Sequence, residues 1–400
     1  MYRSTVALAV LVAGAAVTAC SDTAPTRPIS TGAVRAVSTA NVAGIWADSV
    51  VGATAGDAQY GLFMPQAWNG DIVYYAHGFV APQRPADLPT NDIAPLRDAF
   101  GSMGFAVAYS SFRETGYAIS DGIQRTKQLK GMFTSRYSRP TRSFLVGHSL
   151  GGQVVQALAE EHGNQYDGAL AMCGVVGGTK METQYIGQLR TAFDFFYPGV
   201  LPGNTISMPA ISDPNAQIVF PALTAIQTNP NGFGAIASIQ QTALAGRNSN
   251  EMVSTLLRVL ALHSLEANDL VERTHNHPLF DNSTTVYTSP VLPAPVMAAV
   301  NGGITRYTAT QDALNWLAHY YQPSGQLSIP MVTVHKRYDW LVPFAQEAAY
   351  AQIVANAGNS GKLRQRAVDD YGHCEFSGAT TVGAFLELVT WVTTGVAPAN

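Results

Sequence analysis

The sequence predicts an α/β protein built on a mostly parallel sheet. Short, continuously apolar runs recur through the first half of the chain, with helical spacings between them, and the same alternation resumes near the C-terminus after a long interruption. Strands that alternate with helices require crossover connections, and crossovers give a parallel sheet. Runs that are apolar at every position read as strands buried on both faces.

From Ala43 the pattern is strand, turn, strand, with Tyr60–Pro65 an extended run stopped by its proline. Asp71–Ala76 (DIVYYA) is the first fully apolar strand. Asn91–Met103 has helical spacing at Ile93, Leu96, Ala99 and Phe100, with Asn91 or Asp92 placed to cap it. Phe105–Tyr109 is the next strand, and Asp121 opens a helix running through Ile123, Leu129 and Phe133. Arg142–Val146 is a strand, Gln153–His162 an Ala-rich helix, and Gly168–Met172 a strand. The rhythm then breaks. Helical stretches at Thr183–Phe196, Glu251–Leu265 and Gln311–Tyr321 are joined by Pro, Asn and Gly-rich connectors such as Thr228–Gly232. Strand signals return at Ile329–Val334 and Lys362–Val368, with helices at Pro343–Ala355 and Val382–Thr393. The expected organisation is a core from 41–178 and 326–400, interrupted by a mainly helical insertion at 179–325 that would serve as a lid or cap.

The N-terminus reads as an address. Arg3 is followed by an apolar run from Val6 to Val17, too short to span a bilayer but suited to a signal segment. Val17-Thr18-Ala19-Cys20 resembles the lipobox of bacterial lipoproteins, which implies removal of residues 1–19 and lipidation of Cys20. Ordinary secretion with a cut nearby is the rival reading. Ser21 after Cys20 leans, in that family, toward the outer membrane, so export and an envelope anchor are expected. Residues 20–40 are small, polar and Pro-containing, as in a flexible tether. Only 12% of residues are charged, against about a quarter in ordinary domains, which excludes a solvated disordered chain. The formal net charge of -4 leaves no basic excess to meet nucleic-acid phosphates.

The sharpest local feature is Gly147-His148-Ser149-Leu150-Gly151, a G-x-S-x-G sequence with a strand before it and a helix after it. A serine on so tight a turn has a strained backbone, and side chains two residues either side would collide with it, so both are glycine. The helix start that follows aims N–H groups and a positive dipole end at whatever forms there.

These features resemble the α/β-hydrolase family, and the resemblance implies its fold: a mostly parallel central sheet flanked by helices, with a lid insertion. It also implies that an acid and then a histidine follow the serine in chain order. Tyr74-Tyr75-Ala76-His77-Gly78-Phe79 looks like the family's oxyanion loop, giving backbone N–H groups of Phe79 and Leu150 as the oxyanion donors, with His77 bracing the loop. The end of the strand after the nucleophile helix, Met172–Gly178, carries no carboxylate. The next core strand ends in Tyr338-Asp339-Trp340-Leu341-Val342-Pro343, so the acid is assigned to Asp339, an N-cap role being its structural rival. Asp369 and Asp370 stand too close before the histidine. Tyr371-Gly372-His373-Cys374 occupies the family's histidine position, and His373 is taken as the general base. Cys173 and Cys374 both fall at the carboxyl edge of the sheet, where a disulfide would pin the histidine loop; two free thiols are the alternative.

The implied activity is cleavage of carboxylic esters through a Ser149–His373–Asp339 triad and an acyl-enzyme, without cofactor or metal. A small-molecule, lipid or polymeric ester is the expected substrate. A peptidase or acyltransferase on the same triad, and a binding lipoprotein without catalysis, are the alternatives. His275 and His277 read as a surface loop rather than metal ligands. His335 and Lys336 read as bracing or solvated. Phe193, Phe195, Phe196, Tyr197, Trp316 and Tyr320 would line a pocket or pack the insertion.

Overall fold

Eight strands form one sheet in the order β1-β2-β4-β3-β5-β6-β7-β8. The computed structural model describes residues 44–54, 56–319 and 322–399. The signal segment, Cys20 and tether expected in the first 40 residues, and Tyr320, lie outside them. β1 (Trp46–Ala53) and β2 (Gln59–Pro65) form an antiparallel hairpin, and β2 also runs antiparallel to β4 (Ala106–Ser110). β3 (Asp71–Ala76), β4, β5 (Arg142–His148), β6 (Gly168–Met172), β7 (Met331–Tyr338) and β8 (Leu363–Tyr371) are parallel. This is the mostly parallel, helix-flanked sheet expected of an α/β-hydrolase fold. All six residues of β3 and all five of β4 and β6 are buried, which is why their sequences show no alternation.

Register is what assembles the site. Ala76 pairs with Gly147, Gly147 with Ala171, and Ala171 with Thr333, so one row crosses four strands. The loops that leave β3, β5, β6 and β7 therefore open at the same edge. Helices cover both faces. α1 (Thr90–Ser102) lies on one face, where Ile93 and Phe100 pack with Phe385 and Trp391 of the last helix. α2 (Ile119–Arg136) and α3 (Leu150–Glu161) lie on the other, through Leu129, Phe133, Val154 and Leu158.

Between β6 and β7 the chain forms α4 (Thr179–Phe196), α5 (Phe220–Thr228), α6 (Pro230–Ser238), α7 (Ser249–Arg273), α8 (Ala294–Gly303) and α9 (Gln311–His319). Most of this segment has its own core, with Ile186, Leu189, Phe193, Leu256, Val259 and Leu260 buried together. That core also takes in Val175, Leu341 and Val342 from the sheet's carboxyl edge, which seats the insertion over the site. α10 (Ala345–Asn356) and α11 (Gly378–Thr394) complete the fold.

Some expected boundaries are corrected. α1 begins at Thr90, its first bond running from Ile93 N to the Pro89 carbonyl at 3.0 Å; the cap position is thus Pro89, which has no side-chain acceptor, and Asn91 and Asp92 are inside the helix. Asp121 does not open its helix but sits in the first turn of α2, accepting from Arg113 N at 2.6 Å and pairing with Arg125 at 3.0 Å. Thr228–Gly232 is not a loop. Asn229 ends α5, and Pro230 starts α6 at once, since a proline in the first turn forfeits no hydrogen bond. Phe193 and Tyr197 are buried and stacked at 4.9 Å, and Phe195 and Phe196 pack against Ile239, Tyr287 and Val300, so these aromatics build the insertion's interior.

The largest fully buried side chain is Arg190, on α4. Its guanidinium reaches Asp194 at 2.9 Å and the Pro202 carbonyl at 2.9 Å, joining the helix to the loop after it. Arg190→Ala is expected to lower the stability measured by thermal unfolding by about 3 kcal/mol. Arg190→Met should cost less, because it keeps the volume and Asp194, 28% exposed, can turn to water. Equal losses in the two would contradict this division between volume and charge.

Candidate active site

β5 ends at His148, and the chain turns sharply into α3. Ser149, at the turn, holds φ 54 and ψ -123, a region that residues with a side chain rarely occupy. Several contacts hold it there. Ser149 N donates to Met172 O at 3.0 Å, and Ser149 O accepts from Gly152 N at 2.8 Å. A methyl on Gly147 would strike the Gly151 carbonyl, and one on Gly151 would strike the Ala76 carbonyl. Both glycines are therefore required for close approach of backbone to backbone.

Ser149 Oγ lies 2.9 Å from His373 Nε2, and His373 Nδ1 lies 2.8 Å from Asp339 Oδ2. Since Asp339 accepts at Nδ1, the neutral ring carries its proton there and presents a lone pair to the serine hydroxyl. Asp339 has no exposed surface. Its Oδ1 accepts from Leu341 N at 2.9 Å and Val342 N at 3.0 Å, so the turn-capping role and the histidine contact coexist. Burial alone would raise its pKa, but His373 and His335 outweigh burial and hold it down at about 2. Its sequence rival Asp370 instead pairs with Lys336 at 3.0 Å at the surface, and Asp369 is exposed.

The loop after β3 passes against the serine. A Cβ on Gly78 would stand 3.2 Å from Ser149 Cβ and 3.4 Å from the His148 carbonyl. His77 is buried, stacks on Phe112 at 3.9 Å, and reaches the Gly78 carbonyl through Nδ1 at 2.7 Å. It braces the loop from within the fold. Phe79 follows directly, and Leu150 is the first residue of α3, where no helical carbonyl reaches the N–H.

Cys173 and Cys374 are disulfide-bonded, with Cα atoms 5.4 Å apart. Both hold left-handed backbones, at φ 48 and φ 65. The bond ties the end of β6 to the residue after His373, and Cys374 Sγ lies 3.3 Å from His373 Nε2. Cys173, His373 and Cys374 are the group of potential metal ligands that converges among the described residues, but their sulfurs are spent in the disulfide. His277 stands 3.5 Å from Asp312, and His275 has a left-handed backbone in the same loop.

The insertion reaches this site through Trp340, whose ring is 5.7 Å from that of His373. Tyr185 on α4 donates to the Trp340 carbonyl at 2.9 Å, and Arg258 on α7 lies 5.2 Å from the ring. Tyr371, two residues before His373, meets Thr255 of α7 at 3.2 Å. Sequence reasoning missed Glu347 and His148, and it read His335 only as bracing or solvated. His335 and Glu347 are buried side by side next to Asp339, with His335 Nδ1 3.1 Å from Glu347 Oε1 and Nε2 3.3 Å from Asp339 Oδ2. His148 has a buried Nδ1 without a partner, and burial, then His373, bring its pKa down to about 4. A histidine four residues before the acid was the only visible signal of the first pair; nothing marked Glu347.

No protein-family profile and no curated protein matches the chain. Solved structures similar to it include feruloyl esterase B from Aspergillus oryzae, with 15% identity, coverage of 88% of this chain and 81% of that one, and a TM-score of 0.47. Candida Antarctica lipase A has 14% identity, coverage of 88% and 78%, and a TM-score of 0.43. A monoacylglycerol lipase of Paleococcus ferrophilus has 12% identity, coverage of 85% and 100%, and a TM-score of 0.42. At such identities and TM-scores, what those proteins do says nothing of what this chain does.

The full chain contains 3 cysteines. Denatured without reductant, unmodified protein should titrate one thiol, that of Cys20, and all three after reduction. Three thiols before reduction would overturn the pairing. Replacing Cys173 and Cys374 together by Ala should lower the unfolding midpoint and slow any reaction at Ser149, because the His373 loop loses its anchor.

Proposed function

We propose that this chain is a serine hydrolase that cleaves carboxylic esters through an acyl-enzyme. The observation that carries the reading is the hydrogen-bonded row Ser149–His373–Asp339 at a strained strand-to-helix turn. Ester is the substrate class that the motif resemblance implies.

In this reading Ser149 Oγ attacks the ester carbonyl carbon while its proton passes to His373 Nε2. The ring becomes an imidazolium beside the Asp339 carboxylate, which is already charged and already oriented. The carbonyl oxygen, now negative, turns toward the N–H groups of Phe79 and Leu150; each such donor is worth about 3 kcal/mol of barrier. The C–O bond of the ester breaks, and His373 returns its proton to the departing alcohol. Water then repeats the sequence on the acyl-serine, giving the carboxylic acid and restoring Ser149. The insertion, resting on Trp340 beside His373, would set which esters enter.

A fluorophosphonate probe should label the wild type and leave Ser149→Ala unlabelled. Persistent labelling of that variant, or a folded wild type that does not react, would sink the assignment. A nitrophenyl-ester chain-length panel beside peptide amides then separates esterase from peptidase.

Asp339 sits near pKa 2 and His148 near 4, so neither changes charge across the neutral range. Neither Asp339 nor His148 should therefore add an inflection to log kcat/KM between about pH 5 and 8. A slope steeper than one on the acid limb above about pH 5 would mean that a second group titrates there.

A further inference from the structure

His335, on β7, has a side chain with no exposed surface. Its Nε2 faces two oxygens, the Val342 carbonyl at 2.8 Å and Asp339 Oδ2 at 3.3 Å. Its Nδ1 faces a third, Glu347 Oε1 at 3.1 Å. Carbonyl and carboxylate oxygens accept, so both ring nitrogens are placed to donate, and only the imidazolium has two N–H groups. Glu347 is buried as well, and its other oxygen is filled by Thr333 Oγ1 at 2.5 Å and Gln365 Nε2 at 2.5 Å. Around this ring stand Asp339 from the loop, Glu347 from α10 and, more distantly, Glu182 of α4, which accepts from Gln346 at 2.6 Å.

We propose that His335 is a doubly protonated positioning residue, an imidazolium held by Glu347 that fixes the Asp339 carboxylate for His373. The proposal rests on the serine-hydrolase reading of the site. Asp339 is taken wholly out of water, and a buried carboxylate remains charged only if its lone pairs are met. Two backbone amides meet Oδ1 and His373 meets Oδ2, and the His335 ring, donating to the Val342 carbonyl, sets its charge 3.3 Å from Oδ2. A neutral donor there would leave two carboxylates, Asp339 and Glu347, facing one another's field without a cation between them. Burial opposes charge on the His335 ring, but the carboxylates of Asp339 and Glu347, accepting and attracting, prevail and push it up to about 10. The ring thus remains charged where His373 must cycle, and the two histidines on one carboxylate have different tasks. His373 moves a proton; His335 keeps one.

The direct test is nitrogen NMR of wild-type protein labelled with ¹⁵N-histidine, with the His335 signals identified by their loss in His335→Gln. At pH 8 His335 should show two protonated nitrogens; a neutral tautomer would overturn the proposal. Kinetics on a nitrophenyl ester supply the second arm. The amide nitrogen of Gln can take the place of Nε2 toward Asp339, whereas that of Asn replaces Nδ1 toward Glu347. His335→Asn should therefore lower kcat about tenfold or more with KM within about twofold, and His335→Gln should lose only a few-fold. Equal losses in both, or a lower unfolding midpoint with kcat unchanged, would show a merely structural residue and overturn the positioning role. Should both variants fail to fold, Glu347→Gln should make the wild-type imidazolium signals titrate at lower pH, and an unmoved titration would count against it. A wild type inert toward esters would sink the hydrolase reading instead, while the NMR arm still judges His335.

Discussion

The structure around the candidate site depends on one buried charge, the carboxylate of Asp339. It has no exposed surface, and an isolated carboxylate in such a place would take up a proton. What prevents this is two amides from the turn into α10, the N–H of His373, and the His335 ring, whose Nε2 stands 3.3 Å from Oδ2. Each comes from a segment with its own reason to be there. The turn is fixed by β7 and α10, His373 by β8 and the disulfide, and His335 by Glu347. If the carboxylate were neutral, His373 would lose the acceptor that selects its tautomer, and the lone pair aimed at Ser149 would go with it.

The sheet makes this economical, because aligned register brings the ends of four strands to one edge. Local strain collects there. Ser149, Cys173 and Cys374 all have left-handed backbones without being glycine. Such conformations cost of order 1–3 kcal/mol each and persist only where the surroundings over-determine them. Here the surroundings are the buried strands beneath, the glycines at 147 and 151, and the disulfide. The insertion contributes a second core above and meets the site at Trp340 and Tyr371.

Much of this was legible in the sequence, for physical reasons. Strands buried on both faces announce themselves as unbroken apolar runs, so β3 and β6 were placed to the residue. The strained serine turn was legible because steric necessity fixes its glycines. Asp339 and His373 were legible only through their order and their position after strands, and Cys173 and Cys374 through the edge they share. The insertion was read poorly. α5, α6 and α8 all begin with a proline in the first turn, where the residue starts a helix, and in sequence such a proline looks the same as one that ends a helix. The Glu347 partner of His335 was invisible, since it lies one helix away and nothing in its neighbourhood distinguishes it from an exposed helix glutamate.

In the proposed function Ser149 is the nucleophile that carries the acyl group, held ready by His373 on a charged Asp339. The most direct measurement is to mix the protein with a nitrophenyl ester, quench in acid within the first turnovers, and map the acyl mass by peptide mass spectrometry. One acyl group is expected, on the peptide bearing Ser149, appearing with an initial burst of nitrophenol. Nitrophenol released with no acyl-protein, or with the acyl group on another residue, would contradict it.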